Sequence, residues 1–185
     1  MQAVDLLLNR VSVGRLLEPA PDAAQRELMF RAALRAPDHG QLRPWRFITV
    51  EGEARARLGE LFAEAQAQDP TSKPEALDKA RAMPLRAPLL IVVVARIAEH
   101  PKVPQEEQVL SAGCAAHSLL LATQALGFGA IWRTGALAQH PHVLAGLGLE
   151  AGEKIVGFLY VGSFEGERRS PPALQPLDFV SAWQG

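Results

Sequence analysis

The stretch Ala87–Ile97, "APLLIVVVARI", decides the architecture. From Leu89 to Ala95 it is unbroken by any polar residue, and β-branched side chains dominate it. An amphipathic strand would alternate. A continuous run of this length, opened by Pro88 and closed by Arg96, reads as a central strand buried on both faces. Both faces of its sheet must therefore be covered, and the rest of the chain has to supply the covering.

Working outward, Pro104–Leu126, "PQEEQVLSAGCAAHSLLLATQAL", carries acids in its first turn and then becomes small and apolar nearly all round. Acids suit a helix start, and the apolar circumference predicts a helix in the middle of the protein. Gly127 caps it. "GAIWRTG" (129–135) reads as a strand running into a polar loop, "HPHVLAGLG" (140–148) as a short helix, and "KIVGFLYVG" (154–162) as another strong strand.

On the amino-terminal side, Leu6 to Leu8 form a short helix closed by Asn9 and Arg10. Asp22 followed by Gln25 has the spacing of a capping box and predicts a helix over Ala23–Arg35, stopped by Pro37. "WRFITVE" (45–51) alternates, with Trp45, Phe47 and Thr49 on one face and Arg46, Ile48 and Val50 on the other. "ARARLGELFAEAQAQ" (54–68) reads as a surface helix and "ALDKARAM" (76–83) as a second polar one.

The 185 residues make one domain, because a single core grows to this size without splitting. The balance of 19 basic and 20 acidic residues, a net charge of -1, argues against a nucleic-acid partner. The longest apolar run is too short to span a bilayer, so no membrane role is expected. With Cys114 the only cysteine, no disulfide framework exists within the chain, and the reading is a cytoplasmic protein.

The end of the chain differs in kind. "ERRSPPALQPLDFVSAWQG" (167–185) combines prolines with Leu174, Leu177, Phe179, Val180 and Trp183, too many apolar groups for a segment surrounded by water. It is expected to pack against a partner subunit. Strands alternate with helices, but the long central helix and the tail make α+β as good a label as α/β.

"GLGLEA" from Gly146 matches a dinucleotide fingerprint only formally: it follows a short helix and precedes a strand, the reverse of what the motif requires, and its glycines read as a helix end. The five histidines lack metal spacing. His117, within the apolar helix, reads as a hydrogen-bonded core residue, and His140 and His142 as solvent-exposed.

Three polar clusters remain: Arg10, Ser12 and Arg15; Arg35, Asp38, His39, Gln41 and Arg43; and Trp132, Arg133 and Thr134. Arginine beside a hydroxyl suits a phosphate, and arginine near a flavin ring stabilises the charge it gains on reduction. Taken singly, each reads as helix capping and solvated surface. Their order along the chain changes that.

In this order the stretches "LLLNRVSVGRLLEPAP", "RAALRAPDHGQLRPWRFITVEG", "KARAMPLRAPLLIVVVA", "VPQEEQVLSAGCAAHSLLLATQALGFGAIWRTGAL" and "KIVGFLYVG" resemble the flavin-dependent nitroreductase family, specifically its small members. The resemblance implies an α+β fold around a mainly antiparallel sheet and an intertwined homodimer, with FMN in two interface sites. The segment from about residue 165 would extend over the partner. It also implies NAD(P)H as co-substrate and a small, flat, electron-poor acceptor such as a nitroaromatic or a quinone.

Position by position, the resemblance assigns Arg10, Val11 and Ser12 to one FMN-binding segment. Arg35 and His39 match a second, contributed by the other subunit, and Ile131, Trp132 and Arg133 a third. No side chain is assigned a catalytic role, since the flavin carries the chemistry. Val11 departs from the second arginine usual before the serine, Gln41 from asparagine and Arg43 from glutamine. The family's carboxy-terminal basic contact has no clear match, with Arg168 and Arg169 the candidates. An oxidase or reductive dehalogenase on the same scaffold, or a non-enzymatic flavin carrier, is the alternative.

Overall fold

The computed structural model describes residues 2–185. Residues Leu89–Arg96 form β2, which pairs antiparallel on one side with β1 (Trp45–Glu51) and on the other with β4 (Glu153–Gly162). β3 (Gly129–Arg133) completes the sheet beside β4, giving the order β1-β2-β4-β3, antiparallel throughout. Every residue from Ala87 to Ala95 is buried. Side chains alternate along a strand, so Leu90, Val92 and Val94 enter one core while Leu89, Ile91, Val93 and Ala95 enter the other.

Helices cover both faces, which is why the run needs no polar alternation. On one side lie α3 (Ala54–Ala67), α4 (Pro74–Ala82) and α6 (Pro141–Gly146), with Leu58, Phe62, Ala80 and Val143 packed against the sheet. On the other lie α2 (Ala23–Ala33) and α5 (Gln105–Ala125), through Met29, Ala33, Ala112, Ala116 and Leu119. A short α1 (Ala3–Leu8) precedes them, and Asn9 is its C-cap. The expected mixed α+β architecture with an antiparallel sheet is what forms.

Several details depart from the sequence expectations. The capping box at Asp22 and Gln25 forms with both bonds at 2.8 Å, but α2 closes at Ala33, two residues short of the predicted Arg35. α3 is more than a surface helix: Phe62 is 1% exposed, because the α3 face of β2 requires a large apolar cover. His140 and His142 stand at the start of α6 as expected but are half-buried rather than free in solvent: His140 accepts a bond from the His142 amide, and His142 reaches Glu64 at 2.8 Å.

The largest correction concerns α5. It lies against the sheet along one stripe only, and Leu110 is 67% exposed with Cys114 and His117 exposed in line with it. His117 is therefore not a core histidine. Past its first turn the helix is largely small and apolar, yet one chain supplies a neighbour for only part of that surface. The tail behaves alike: Leu177 is 87% and Trp183 91% exposed.

A bulge in β4 shapes the neighbourhood of β3. Val93 pairs with Gly157 and Val94 with Ile155, leaving Val156 as the extra residue. The Trp132 indole N–H donates to the Val156 carbonyl at 3.3 Å and lies across Gly157, where a Cβ would fall 2.0 Å from the indole nitrogen. Only glycine leaves room there.

Candidate functional site

The segment after α1 is held in place at both ends of a short span. Gln124, 5% exposed near the end of α5, accepts from the Val11 amide at 3.3 Å and donates to the Asn9 carbonyl at 3.1 Å. Two residues later the Val13 amide donates to the Ala130 carbonyl of β3 at 2.9 Å. Gly129 permits this approach, since a Cβ there would lie 2.9 Å from Leu16 and 3.0 Å from Val13. Val11, 8% exposed, is thus a buried apolar anchor between the half-buried Arg10 and Ser12.

Arg168 completes this corner. Its Nη2 donates to the Phe128 carbonyl at 3.0 Å and its guanidinium lies 4.5 Å from the centre of the Phe164 ring. Its Nε is buried without a hydrogen-bond partner, and burial pulls its pKa below the ordinary arginine value. Arg10, Val11, Val13, Gln124, Gly129 and Arg168 line one small recess without a carboxylate among its lining residues. Two cations and an unspent donor there suit an anionic group. Arg169 is exposed, whereas Arg168 lines the recess.

β3 leads away from this corner along the open edge of the sheet. Residues of an antiparallel pair alternate in pointing their backbone groups toward and away from the partner strand. The Ala130 carbonyl already points outward to Val13, so Trp132 also presents its backbone N–H and C=O to the open edge. Ile131 and Arg133 turn their side chains to the α3 face, while Trp132 packs on the α5 face. From 129 to 133 the strand advances about 13 Å.

The second predicted segment lies elsewhere. Asp38 accepts from the Leu42 and Arg43 amides at 3.1 and 2.7 Å, and this turn holds Gln41 and Arg43 at φ of 55° and 50°. Positive φ at two side-chain-bearing residues is strain of the kind that accumulates at ligand sites. Arg35, Asp38, Gln41, Arg43 and Trp45 border an open depression of about 430 Å³. His39 Nδ1 meets Glu107 Oε2 at 2.7 Å, fixing the turn to the first part of α5.

Gln124 and Glu107 mark the two ends of one straight helix, about 26 Å apart at 1.5 Å per residue. Within one chain, therefore, the structure brings Arg10 and Ser12 to the start of β3, and it does not bring Arg35 or His39 to them. Sequence reasoning missed Gln124 and Gly157. A glutamine in the last turn of an otherwise apolar helix was the available signal for the first; the second depends on a bulge that no sequence pattern announces.

A model described as "Nitroreductase family" matches residues 7–163. The Escherichia coli (strain K12) protein named "Putative NAD(P)H nitroreductase YdjA" is 48% identical over 163 residues, 88% of each chain. Among solved structures, a nitroreductase-like family protein from Bacillus cereus superposes with a TM-score of 0.84 at 22% identity, over 100% of this chain and 97% of its own. A nitroreductase from Bacteroides fragilis with bound FMN gives a TM-score of 0.73 at 21% identity, over 98% of both chains.

Proposed function

Since the chain belongs to the nitroreductase family, we propose that it is a cytoplasmic FMN-dependent oxidoreductase drawing on NAD(P)H and reducing a small, flat, electron-poor acceptor such as a nitroaromatic or a quinone. The observation that carries this reading is the corner between Arg10 and Arg168. A buried guanidinium nitrogen without a partner, facing no carboxylate, has the chemistry of a phosphate seat.

In this reading Arg10, Ser12 and Arg168 hold the phosphate, and the Val11 backbone keeps them in place through Gln124. Arg168 supplies the cation that Val11 lacks. The open edge of β3 receives the remainder of the cofactor, with Ile131–Arg133 contributing mainly through backbone and Trp132 held rigid across Gly157. FMN, when bound, supplies hydride acceptance and delivery; the chain's residues bind it, orient it and leave one face open.

Arg35 and His39 then come from a second copy. Two copies of α5 packed antiparallel along the exposed Leu110–Cys114–His117 stripe would carry the His39 end of one chain to the Arg10 end of the other. That arrangement offers cover to the stripe and, with the tail from about residue 165 reaching across the neighbour, to Leu177, Phe179 and Trp183. Both kinds of exposed apolar surface support it.

The deciding experiment is the absorbance spectrum of the purified protein followed by anaerobic titration with NADH and with NADPH. A yellow protein bleached by one or both is expected. A colourless protein with no FMN affinity sinks the reading, and a yellow one that neither donor bleaches leaves a flavin carrier. Gel filtration of the flavin-loaded protein is expected to give a dimer.

A further inference from the structure

On the α3 face of the sheet, away from the Arg10 corner, lies a cavity of about 110 Å³ lined by Phe62, Met83, Arg86, Arg133, Tyr160 and their neighbours. Its walls are apolar except for two arginines, Thr134 and one phenol, and it contains no carboxylate. Among the described residues neither Arg86 nor Arg133 forms an ion pair or a hydrogen bond through its side chain. The Arg133 Nε is buried with no partner, and its guanidinium lies 5.7 Å from the centre of the Tyr160 ring.

Tyr160 is 3% exposed and its hydroxyl makes no hydrogen bond within the chain, though it borders the cavity. A buried, unspent guanidinium nitrogen is costly unless something meets it, and the phenol oxygen opens into the same cavity. Arg86 is itself solvent-exposed, so the demand falls on Arg133: water alone would satisfy its donor but leave its charge without a counter-ion. An anion does both.

Size narrows the occupant. Sites for whole cofactors run to roughly 300–1,000 Å³, so this cavity does not take a flavin or a nicotinamide ring. At about 30 Å³ per water it holds roughly four waters, the room a single compact oxyanion needs. Two guanidinium groups present their donors as planar forks that match the oxygens of such a group, and the phenol adds one more.

We propose that Arg86, Arg133 and Tyr160 form a subsite for a compact oxyanion, either free inorganic oxyanion or the carboxylate of an acceptor. The subsite stands on its own geometry and goes beyond the cofactor reading, which uses the Arg133 backbone at the strand edge and leaves its side chain to this cavity.

Phosphate is the probe. The full-length protein as purified is melted in potassium phosphate and in potassium chloride at matched ionic strength and pH. Wild type is expected to melt higher in phosphate, and Arg86→Met to lose about tenfold in phosphate affinity. Tyr160→Phe, which keeps the ring that packs in the core, is expected to lose less and guards against a failure of Arg86→Met to fold.

Carboxylate as the source is tested with 4-nitrobenzoate against nitrobenzene. A KM raised by Arg86→Met for the first alone assigns the subsite to the acceptor. Absence of both the phosphate shift and the KM difference overturns the proposal, as does loss of flavin absorbance in Arg86→Met, which would make Arg86 part of the cofactor seat. A wild type that binds no FMN but whose phosphate shift is lost in Arg86→Met removes the cofactor reading and leaves the subsite standing.

Discussion

β2 and the middle of α5 both read from sequence as buried elements, yet they meet different fates. Every residue from Ala87 to Ala95 is buried within one chain, whereas Leu110, Cys114 and His117 of α5 remain exposed. A central strand has neighbours on four sides, two strands and two helix layers, all supplied by its own chain. A helix lying on one face of the sheet has only a stripe of contact. Apolar residues on its far side signal that the folded chain is finished as a core and unfinished as a surface.

The comparison is sharpest at its first pole. Ile91→Ala removes a fully buried side chain between β2 and the α5 layer. It is expected to lower unfolding free energy by about 2–5 kcal/mol, measured by urea denaturation at fixed protein concentration. A loss below that range would mean that the strand relaxes around the cavity and is less tightly enclosed than its burial implies.

The opposite pole is tested by Leu110→Glu. If the outer stripe of α5 is an interface, association weakens by at least about tenfold while the fold survives, as sedimentation at several concentrations and the far-UV spectrum would report. If the variant unfolds as Ile91→Ala does, the two regions are alike after all. If its mass in solution is unchanged, the stripe is not the meeting surface.

Between the poles lies the Arg10 corner, built by one chain but expected to be completed by another. Arg10→Ala and Arg168→Ala are each expected to weaken FMN binding by about 1–3 kcal/mol, read by flavin fluorescence. An unchanged affinity in both would remove the phosphate from this corner and the link between the cofactor and the unfinished side of α5.

The smallest effect belongs to a feature one chain completes alone. Arg46 donates to both oxygens of Glu153, at 2.7 and 2.6 Å, and the hydrogen bonds hold that carboxyl below its ordinary pKa against the opposing effect of burial. A lowered folded-state pKa contributes stability that is whole above the unfolded value of about 4.3 and is lost as pH falls through the folded value. Glu153→Gln should therefore flatten the acid limb of the stability curve by about 1 kcal/mol, with little change in oligomeric state. An acid limb as steep as wild type would assign it to other carboxylates.

These contrasts mark how far the sequence could be read. The β2 run, the Asp22 box and the strands at 129 and 154 are local signals, and each formed near its expected place. His117 was misjudged because an apolar helix was equated with a buried one, when burial depends on what the chain places beside it. Arg10, Ser12 and Arg15 were legible as a donor-rich cluster, and the family resemblance assigned Arg10, Val11 and Ser12 to a cofactor segment. Their fastening by Gln124, and the docking of Arg168 on the Phe128 carbonyl, follow from approaches across more than a hundred and about forty residues, respectively, which no local pattern encodes.

By itself, then, the sequence determined which segments are strands and helices, that one strand is enclosed on both faces, and which arginine clusters are rich in donors. These follow from periodicity, capping and composition, all properties of neighbours along the chain. The tertiary structure alone decided that Arg10 and Arg168 line one recess while Arg35 stands toward the far end of a helix, that Trp132 needs Gly157, and that Arg86 and Arg133 share a cavity with an unpaired phenol. Those are distances through space, set by strand order and by which layer each helix joins.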